Sequence, residues 1–229
     1  MKKNIIIVAG GKGERMQADI PKQFIEIYGK PILMHTIEAF YHYDKSISII
    51  VVLPAVQLNY WEELCENHKF SIPHKIIEGG ETRFHSVKNG LDQADADSLI
   101  GVHDGVRPLV SVDTISRCFD AAWKYKAVVP VVDLVDSIRY VGENENYACE
   151  RAKYKLVQTP QVFEGKLLKK AYEQDFSPSF TDDASVVEAC GTKIHLVAGN
   201  SENIKITTAF DLKVASEAFK KNAKEENND

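Results

Sequence analysis

The stretch Asn4-Ile5-Ile6-Ile7-Val8-Ala9-Gly10-Gly11-Lys12-Gly13-Glu14-Arg15-Met16 decides how the chain is read. Its first half is a short, continuous, β-branched run, the pattern of a strand buried on both faces. Glycines follow at once. After the first strand of an α/β sheet, glycines let the backbone turn tightly and approach a ligand with no Cβ in the way. The N–H groups of such a loop can converge on phosphate oxygens. Neither of two common phosphate motifs fits. A dinucleotide fingerprint needs a third glycine, but Gly11-Lys12-Gly13 is followed by Glu14-Arg15-Met16, which disfavours a dehydrogenase; no Walker A lysine is present either. What remains is a glycine loop with its own cations, Lys12 and Arg15, followed by Pro21-Lys22-Gln23-Phe24.

Downstream, apolar runs alternate with helix-period segments. The pattern predicts strands at 4–8, 47–53, 75–77, 99–103 and 127–132, with helices at 32–43, 57–68, 82–94 and 112–124 between them. Strands alternating with helices imply βαβ units, hence an α/β, Rossmann-like, doubly wound and mostly parallel sheet. The pattern breaks at about 133–157, where short strands around Gly142-Glu143-Asn144-Glu145-Asn146 predict a projecting β-hairpin arm. Such an arm cannot bury both faces alone, so it is expected to pack on a second copy of the chain. The winding then resumes with helices at 166–173, 183–189 and 210–219 and a strand at 194–198. Residues 1–219 thus read as one domain, and 220–229, charged and without an apolar face, as a tail expected to fray.

Composition agrees with an ordinary globular chain of one core: 229 residues, 44% hydrophobic and 27% charged. A formal net charge of −5 argues against a nucleic-acid binder. Any anionic ligand must then meet a local cluster of cations. The longest early apolar run is far shorter than a signal core or membrane span, so no membrane partner and a cytoplasmic location are expected. The four cysteines, Cys65, Cys118, Cys149 and Cys190, form no C-x-x-C pair and read as free thiols.

Two later stretches carry chemistry by residue type alone. Gly79-Gly80-Glu81-Thr82-Arg83-Phe84-His85-Ser86 opens a predicted helix, whose N-terminus offers unpaired N–H donors. Glu81 there is either a ligand group or a first-turn acid. Val102-His103-Asp104-Gly105-Val106-Arg107-Pro108 ends a predicted strand, where ligands sit in open α/β sheets. Asp104 is the candidate for Mg²⁺ or another divalent cation, since hard cations take oxygen ligands, often one carboxylate plus substrate phosphates. An Asp104–Arg107 salt bridge would equally explain both residues, and His103 is read as a strand-end residue with no role.

Taken together, the G-G-x-G-x-R-M loop, P-K-Q-F, G-K-P-I, G-G-x-x-R-x-x-S-V and H-D-x-x-R-P segments resemble, in order, those of the sugar-phosphate cytidylyltransferases, whose fold is that of the nucleotide-diphospho-sugar transferases. The resemblance runs from Ile5 to about Ala215. It implies that Ala9, Gly10, Gly11 and Gly13 wrap the triphosphate of CTP and that Arg15 and Lys22 stabilise the charge on the α-phosphate. It places Gly80, Glu81, Arg83 and Ser86 around the cytosine, with Asp104 and Gly105 completing the CTP side. Gly105-Val106 stands where the family usually has two alanines.

On the acceptor side, the resemblance matches Thr159-Pro160-Gln161-Val162-Phe163, Thr181-Asp182-Asp183-Ala184-Ser185 and Asn203-Ile204-Lys205-Ile206-Thr207. It implies that Arg151, reaching across a homodimer from the arm, and Lys205 hold the acceptor phosphate as catalytic cations. Arg107, Ser137, Thr159 and Thr181 join them as acceptor contacts. Thr181-Asp182-Asp183 also reads as an ordinary helix start, with an N-cap hydroxyl and first-turn acids. The implied acceptor is a small polyol phosphate, methylerythritol phosphate, with ribitol 5-phosphate the alternative. The Thr181–Ser185 run favours the former. A non-catalytic nucleotide-binding regulator would require Arg15, Lys22 or Asp104 to be lost, and all three are present.

Overall fold

A computed structural model describes residues 2–10 and 20–226, with side chains described as far as Lys220. The predicted Ile-rich run is β1 (Lys2–Val8), and it pairs in parallel with two neighbours. On one side lies β4 (Ser48–Leu53), followed outward by β5 (Lys75–Glu78), again parallel. On the other side lies β6 (Ser98–Asp104). The sheet therefore grows in one direction through β4 and β5 and then jumps back across β1, making a switch point at the C-terminal ends of β1 and β6.

Helices α1 (Ile32–Tyr43), α2 (Leu58–Asn67), α3 (Arg83–Asp92) and α4 (Val112–Tyr125) connect these strands much as the sequence pattern predicts. Alternate side chains of each strand feed opposite layers. Ile5, Ile7, Ile49 and Val51 pack with Met34, Ile37, Trp61 and Phe119, while Ile6, Ile50, Val52 and Val102 pack with Phe84, Val87 and Leu91. Both faces are buried, which is why the strand reads as an unbroken apolar run rather than an alternating one.

Beyond β6 the order departs from simple winding. β7 (Ala127–Asp133) does not pair with β6; between them lies β11 (Gln161–Glu164), antiparallel to both. β10 (Lys155–Val157) also runs antiparallel along β7, and β12 (His195–Ala198) pairs with it in parallel. The residues of β10 and β11 carry no strand in the sequence reading. Each is three or four residues long, and Pro160 punctuates the run between them. The mostly parallel α/β sheet holds, with this antiparallel insertion.

The arm is present as β8 (Arg139–Val141) paired antiparallel with β9 (Asn146–Ala148), apart from the main sheet. Its strand residues are all exposed, with Tyr140 stacked on Tyr147 at 4.9 Å. A two-residue ladder, β2 (Glu26–Ile27) with β3 (Lys30–Pro31), precedes α1. The short helices α5 (Gly165–Ala171) and α6 (Asp183–Glu188) cover the Ile6 face. The last helix, α7, runs Ala209–Glu226, so it continues past Phe219, where the sequence reading begins a frayed tail. No helix among the described residues is long and apolar enough to cross a membrane, and the four cysteines are free thiols.

Candidate active site

At the switch point lies a cleft of about 280 Å³, lined by the ends of β1, β4 and β6, the bend before α3, Lys22 and Lys205. Its floor is set by backbone hydrogen bonds between strand ends. Ala9 N–H donates to Val52 O (3.0 Å), Gly105 N–H to Val8 O (2.9 Å) and Gly79 N–H to Leu53 O (2.8 Å). Ala9 and Gly10 form one lip, whereas Gly11, Gly13 and Arg15 lie outside the described residues. Gly105 stands behind this lip rather than on the lining. A Cβ there would come within 2.8 Å of the Ala9 Cβ, so the glycine allows β6 to lie close behind the β1 turn.

The 3-10 turn Lys22–Phe24 brings Lys22 to the cleft and drives Gln23 inward. The buried Gln23 amide donates 2.6 Å bonds to Ala9 O and to Gln57 Oε1, tying the Pro21-Lys22-Gln23-Phe24 segment to the end of β1. The sequence reading gave Gln23 no role; its place beside Lys22 in a motif was the available signal.

On the opposite lip, Thr82 caps α3 and Ser86 organises the bend. Ser86 Oγ accepts from Gly80 N–H (3.1 Å) and donates to Thr82 O (2.9 Å). A Cβ on Gly80 would stand 2.4 Å from His85 Cβ, so only glycine lets the chain pass this close to the helix start. Gly80, Glu81, Arg83 and Ser86 all line the cleft as expected.

Asp104, buried at the end of β6, is the centre of the charge arrangement. Its Oδ2 accepts from Arg107 Nε and meets Lys205 Nζ, both at 3.1 Å, and Arg83 Nε stands 3.9 Å from Oδ1. Burial alone would raise this carboxyl, but Arg83, Lys205 and Arg107 outweigh it and hold it well below the usual carboxylate range. Lys205 arrives on an irregular segment rather than a strand. Its neighbour Ile206 is buried and donates its N–H to Val106 O (2.9 Å).

Arg107 and Thr159, expected at the acceptor, are hydrogen-bonded to Asp104 beside the cleft and are not part of its lining. Arg107 also donates from Nη1 to Asn203 O (2.8 Å). The buried Thr159 Oγ1 accepts from the Asp104 N–H (3.1 Å) and lies 2.9 Å from His103 Nδ1, while His103 Nε2 lies 3.1 Å from Arg107 O. With the proton on Nε2, every donor in this chain meets an acceptor: His103 donates to Arg107 O, and Thr159 donates to His103. His103 is thus the brace of the turn, a role invisible from a single histidine at a strand end.

The Thr181–Ser185 run also turns inward. The N-cap of α6 is Asp182, not Thr181, and it forms a capping box with Ser185. Asp183 is fully buried and receives a two-pronged bond from Arg83 (3.0 and 2.6 Å). Thr181 is exposed at the head of the helix. Ser137 is exposed and Arg151 lies in a short turn bonded to Val135 O; neither lines the cleft of its own chain.

Among the described residues no cluster of three His, Cys, Asp or Glu could hold a metal unaided. Asp104 fits a cation that draws most of its ligands from phosphate and water. Its Oδ2 carries both close ion pairs, leaving Oδ1 with only the longer Arg83 contact among the described residues.

A switch-point crevice with a glycine turn on one lip and cations gathered around a strand-end carboxylate is the site of an α/β nucleotidyltransferase. Comparison with known proteins narrows the class. The chain belongs to the 2-C-methyl-D-erythritol 4-phosphate cytidylyltransferase family, whose profile its residues 4–221 match. The family's enzyme from Bacteroides thetaiotaomicron is 59% identical over 216 residues, 94% of this chain and 99% of the relative. That from Porphyromonas gingivalis is 48% identical, covering 93% and 96%. The 4-diphosphocytidyl-2C-methyl-D-erythritol synthase of Anaerococcus prevotii superposes with a TM-score of 0.81 at 29% identity, covering 96% of each chain. The Thermus thermophilus cytidylyltransferase gives 0.73 at 31%, covering 96% and 98%.

Burial lowers the His103 imidazole to about 4. On acidification the unfolded chain takes up this proton near pH 6.5, while the fold resists it until about pH 4. His103 therefore favours the fold fully above pH 6.5, and this is lost as pH falls toward 4, by about 3 kcal/mol. Urea unfolding of the wild type and His103→Gln across that range should show the wild type losing stability more steeply. Parallel curves would contradict a neutral, buried His103.

Proposed function

We propose that this chain transfers the cytidylyl group of CTP to 2-C-methyl-D-erythritol 4-phosphate, releasing pyrophosphate and forming 4-diphosphocytidyl-2-C-methyl-D-erythritol, a step of isoprenoid precursor synthesis. Its membership of the family carries the reaction, and the single structural observation that supports it best is the Asp104 cluster at the foot of a cleft flanked by the β1 turn and the Ser86 bend.

In this reading the triphosphate lies along Ala9, Gly10 and the glycine run that follows. The cytosine sits in the bend of Gly80, Glu81 and Ser86, where a hydroxyl and backbone amides can match its donor and acceptor edge. An oxygen of the acceptor phosphate attacks the α-phosphorus in line. The bond from that phosphorus to the bridging oxygen breaks, and pyrophosphate leaves with the electron pair. Such a transfer needs positioning and charge stabilisation more than covalent help. Lys22 and Arg15 supply the positive charge at the α-phosphate. Lys205, standing at the mouth with its ammonium on Asp104, is placed to exchange that partner for the acceptor phosphate. Asp104 is the residue that would hold Mg²⁺ or another divalent cation, which when bound neutralises triphosphate charge and polarises the reacting phosphate.

Arg151 belongs to the same reading through a homodimer. The arm exposes Val141, Tyr140 and Tyr147, a surface suited to a second copy, and Arg151 follows it. In such a dimer the arm would carry Arg151 to the neighbouring cleft, giving the acceptor phosphate a second cation.

Pyrophosphate release with CTP and Mg²⁺ should favour methylerythritol phosphate over ribitol 5-phosphate by at least about 100-fold in kcat/KM, roughly the loss of two to three kcal/mol of transition-state binding. Preference for ribitol 5-phosphate would overturn the acceptor, and release with neither would overturn the reaction. Lys22→Ala should lower kcat by roughly 10²–10³-fold, the effect of removing one preorganised charge donor, with an unchanged unfolding midpoint. A near-normal kcat would remove Lys22 from the catalytic set.

A further inference from the structure

Asp183 is fully buried, yet it comes from a helix 100 residues along the chain from the cleft residue it touches. Its carboxylate is completely engaged. Oδ1 accepts from Arg83 Nη1 (3.0 Å) and from the Tyr172 hydroxyl (2.7 Å), and Oδ2 from Arg83 Nη2 (2.6 Å). The Tyr172 ring stacks on Phe84, the residue after Arg83, at 4.7 Å and 19°. Burial first, and Asp183 next, push the Tyr172 hydroxyl well above its usual range, so it remains a donor. Arg83 lines the cleft and also faces Asp104.

From this geometry we propose that Asp183, backed by Tyr172, is a positioning residue for the nucleotide. It fixes the guanidinium plane of Arg83 and, through it, the bend that receives the base. The inference rests on the reading that this cleft takes CTP. A free arginine at a cleft wall samples many rotamers, and ordering it when the ligand arrives weakens binding. Two parallel bonds to a buried carboxylate remove that freedom beforehand and set direction as well as distance. An apolar residue at 183 would leave Arg83 without its orientation and the buried Tyr172 hydroxyl without an acceptor. Both acids of the Thr181–Ser185 run are thus engaged within the fold, Asp183 by Arg83 and Tyr172 and Asp182 by Gln161 and Ser185.

The test uses the whole chain with Mg²⁺ and reads CTP binding by calorimetry without acceptor, KM for each substrate, and the unfolding midpoint. Asp183→Asn should weaken CTP binding about 10–100-fold, the range for charged hydrogen bonds. The acceptor KM should stay within about twofold, since no bond of Asp183 reaches that side. Tyr172→Phe keeps the ring stack and should weaken CTP by only a fewfold; it decides the matter should Asp183→Asn not fold. Combined with Arg83→Gln, Asp183→Asn should add nothing further, because both act through one guanidinium. A raised acceptor KM with intact CTP binding would overturn the proposal, as would additive effects in the double variant or unchanged CTP binding in both single variants. A wild-type chain that binds no CTP would instead overturn the proposed function, and this inference with it.

Discussion

The arrangement turns on one buried carboxylate. Asp104 sits at the end of the central strand pair, out of water, and its charge survives there only because Arg83, Lys205 and Arg107 gather around it. Each partner comes from a different part of the chain: Arg83 from the start of α3, Arg107 from the turn after β6, Lys205 from the segment before α7. The ion cluster therefore joins segments far apart in sequence at the one point where the sheet leaves a crevice. It also resolves a difficulty posed by composition. A chain of net charge −5 offers an anionic ligand a favourable field only where cations are concentrated, and Arg83, Arg107 and Lys205 are concentrated around Asp104.

Around that carboxylate the fold has been made stiff. The His103–Thr159–Asp104 chain of hydrogen bonds fixes the backbone of the turn, and Arg107 locks it to Asn203. Thr36 on α1 donates to Gly105 O (3.1 Å), holding the same turn from the other layer. Gln23 ties the Lys22 turn to the β1 lip, and Asp183 ties Arg83 to α6. Such bracing lets charged side chains wait in place rather than reorganise when substrate binds. The acceptor side is built differently: Lys205 is half-exposed, and Arg151 lies on an arm outside the main sheet. One half of the site is thus preorganised within a single chain, while the other half is completed on the proposed reading by a second copy.

What could be read without coordinates divides along physical lines. Ile5–Val8 and Ile49–Leu53 announced buried parallel strands because a strand covered on both faces has no polar alternation to obscure it. The bounds of α1 were legible because Pro31 precedes it and the apolar period is regular. The antiparallel β11 was not, since Gln161-Val162-Phe163-Glu164 is short, and only the tertiary pairing with β6 and β7 makes it a strand. Lys22, Arg83, Ser86, Asp104 and Lys205, which line the cleft, all stand in motifs that the sequence singles out. The bracing contacts behind them were not legible. His103, Gln23 and Asp183 bond to groups tens of residues away, and no local pattern carries that information. The motifs of Arg107 and Thr159 mark the region, while their bonds to Asn203, His103 and Asp104 show only in the fold.

The central claim is that Asp104 holds the cations in place when the nucleotide is absent and favours a divalent ion once it is bound. Calorimetric CTP affinity of the wild type and Asp104→Asn, each with Mg²⁺ and with chelator, tests it directly. The account predicts opposite effects: with Mg²⁺ the substitution weakens CTP binding, and with chelator it strengthens it, because Lys205 is released to the phosphates while the positive charge of Arg83 is no longer offset by Asp104. Equal changes under both conditions, or none, would contradict it.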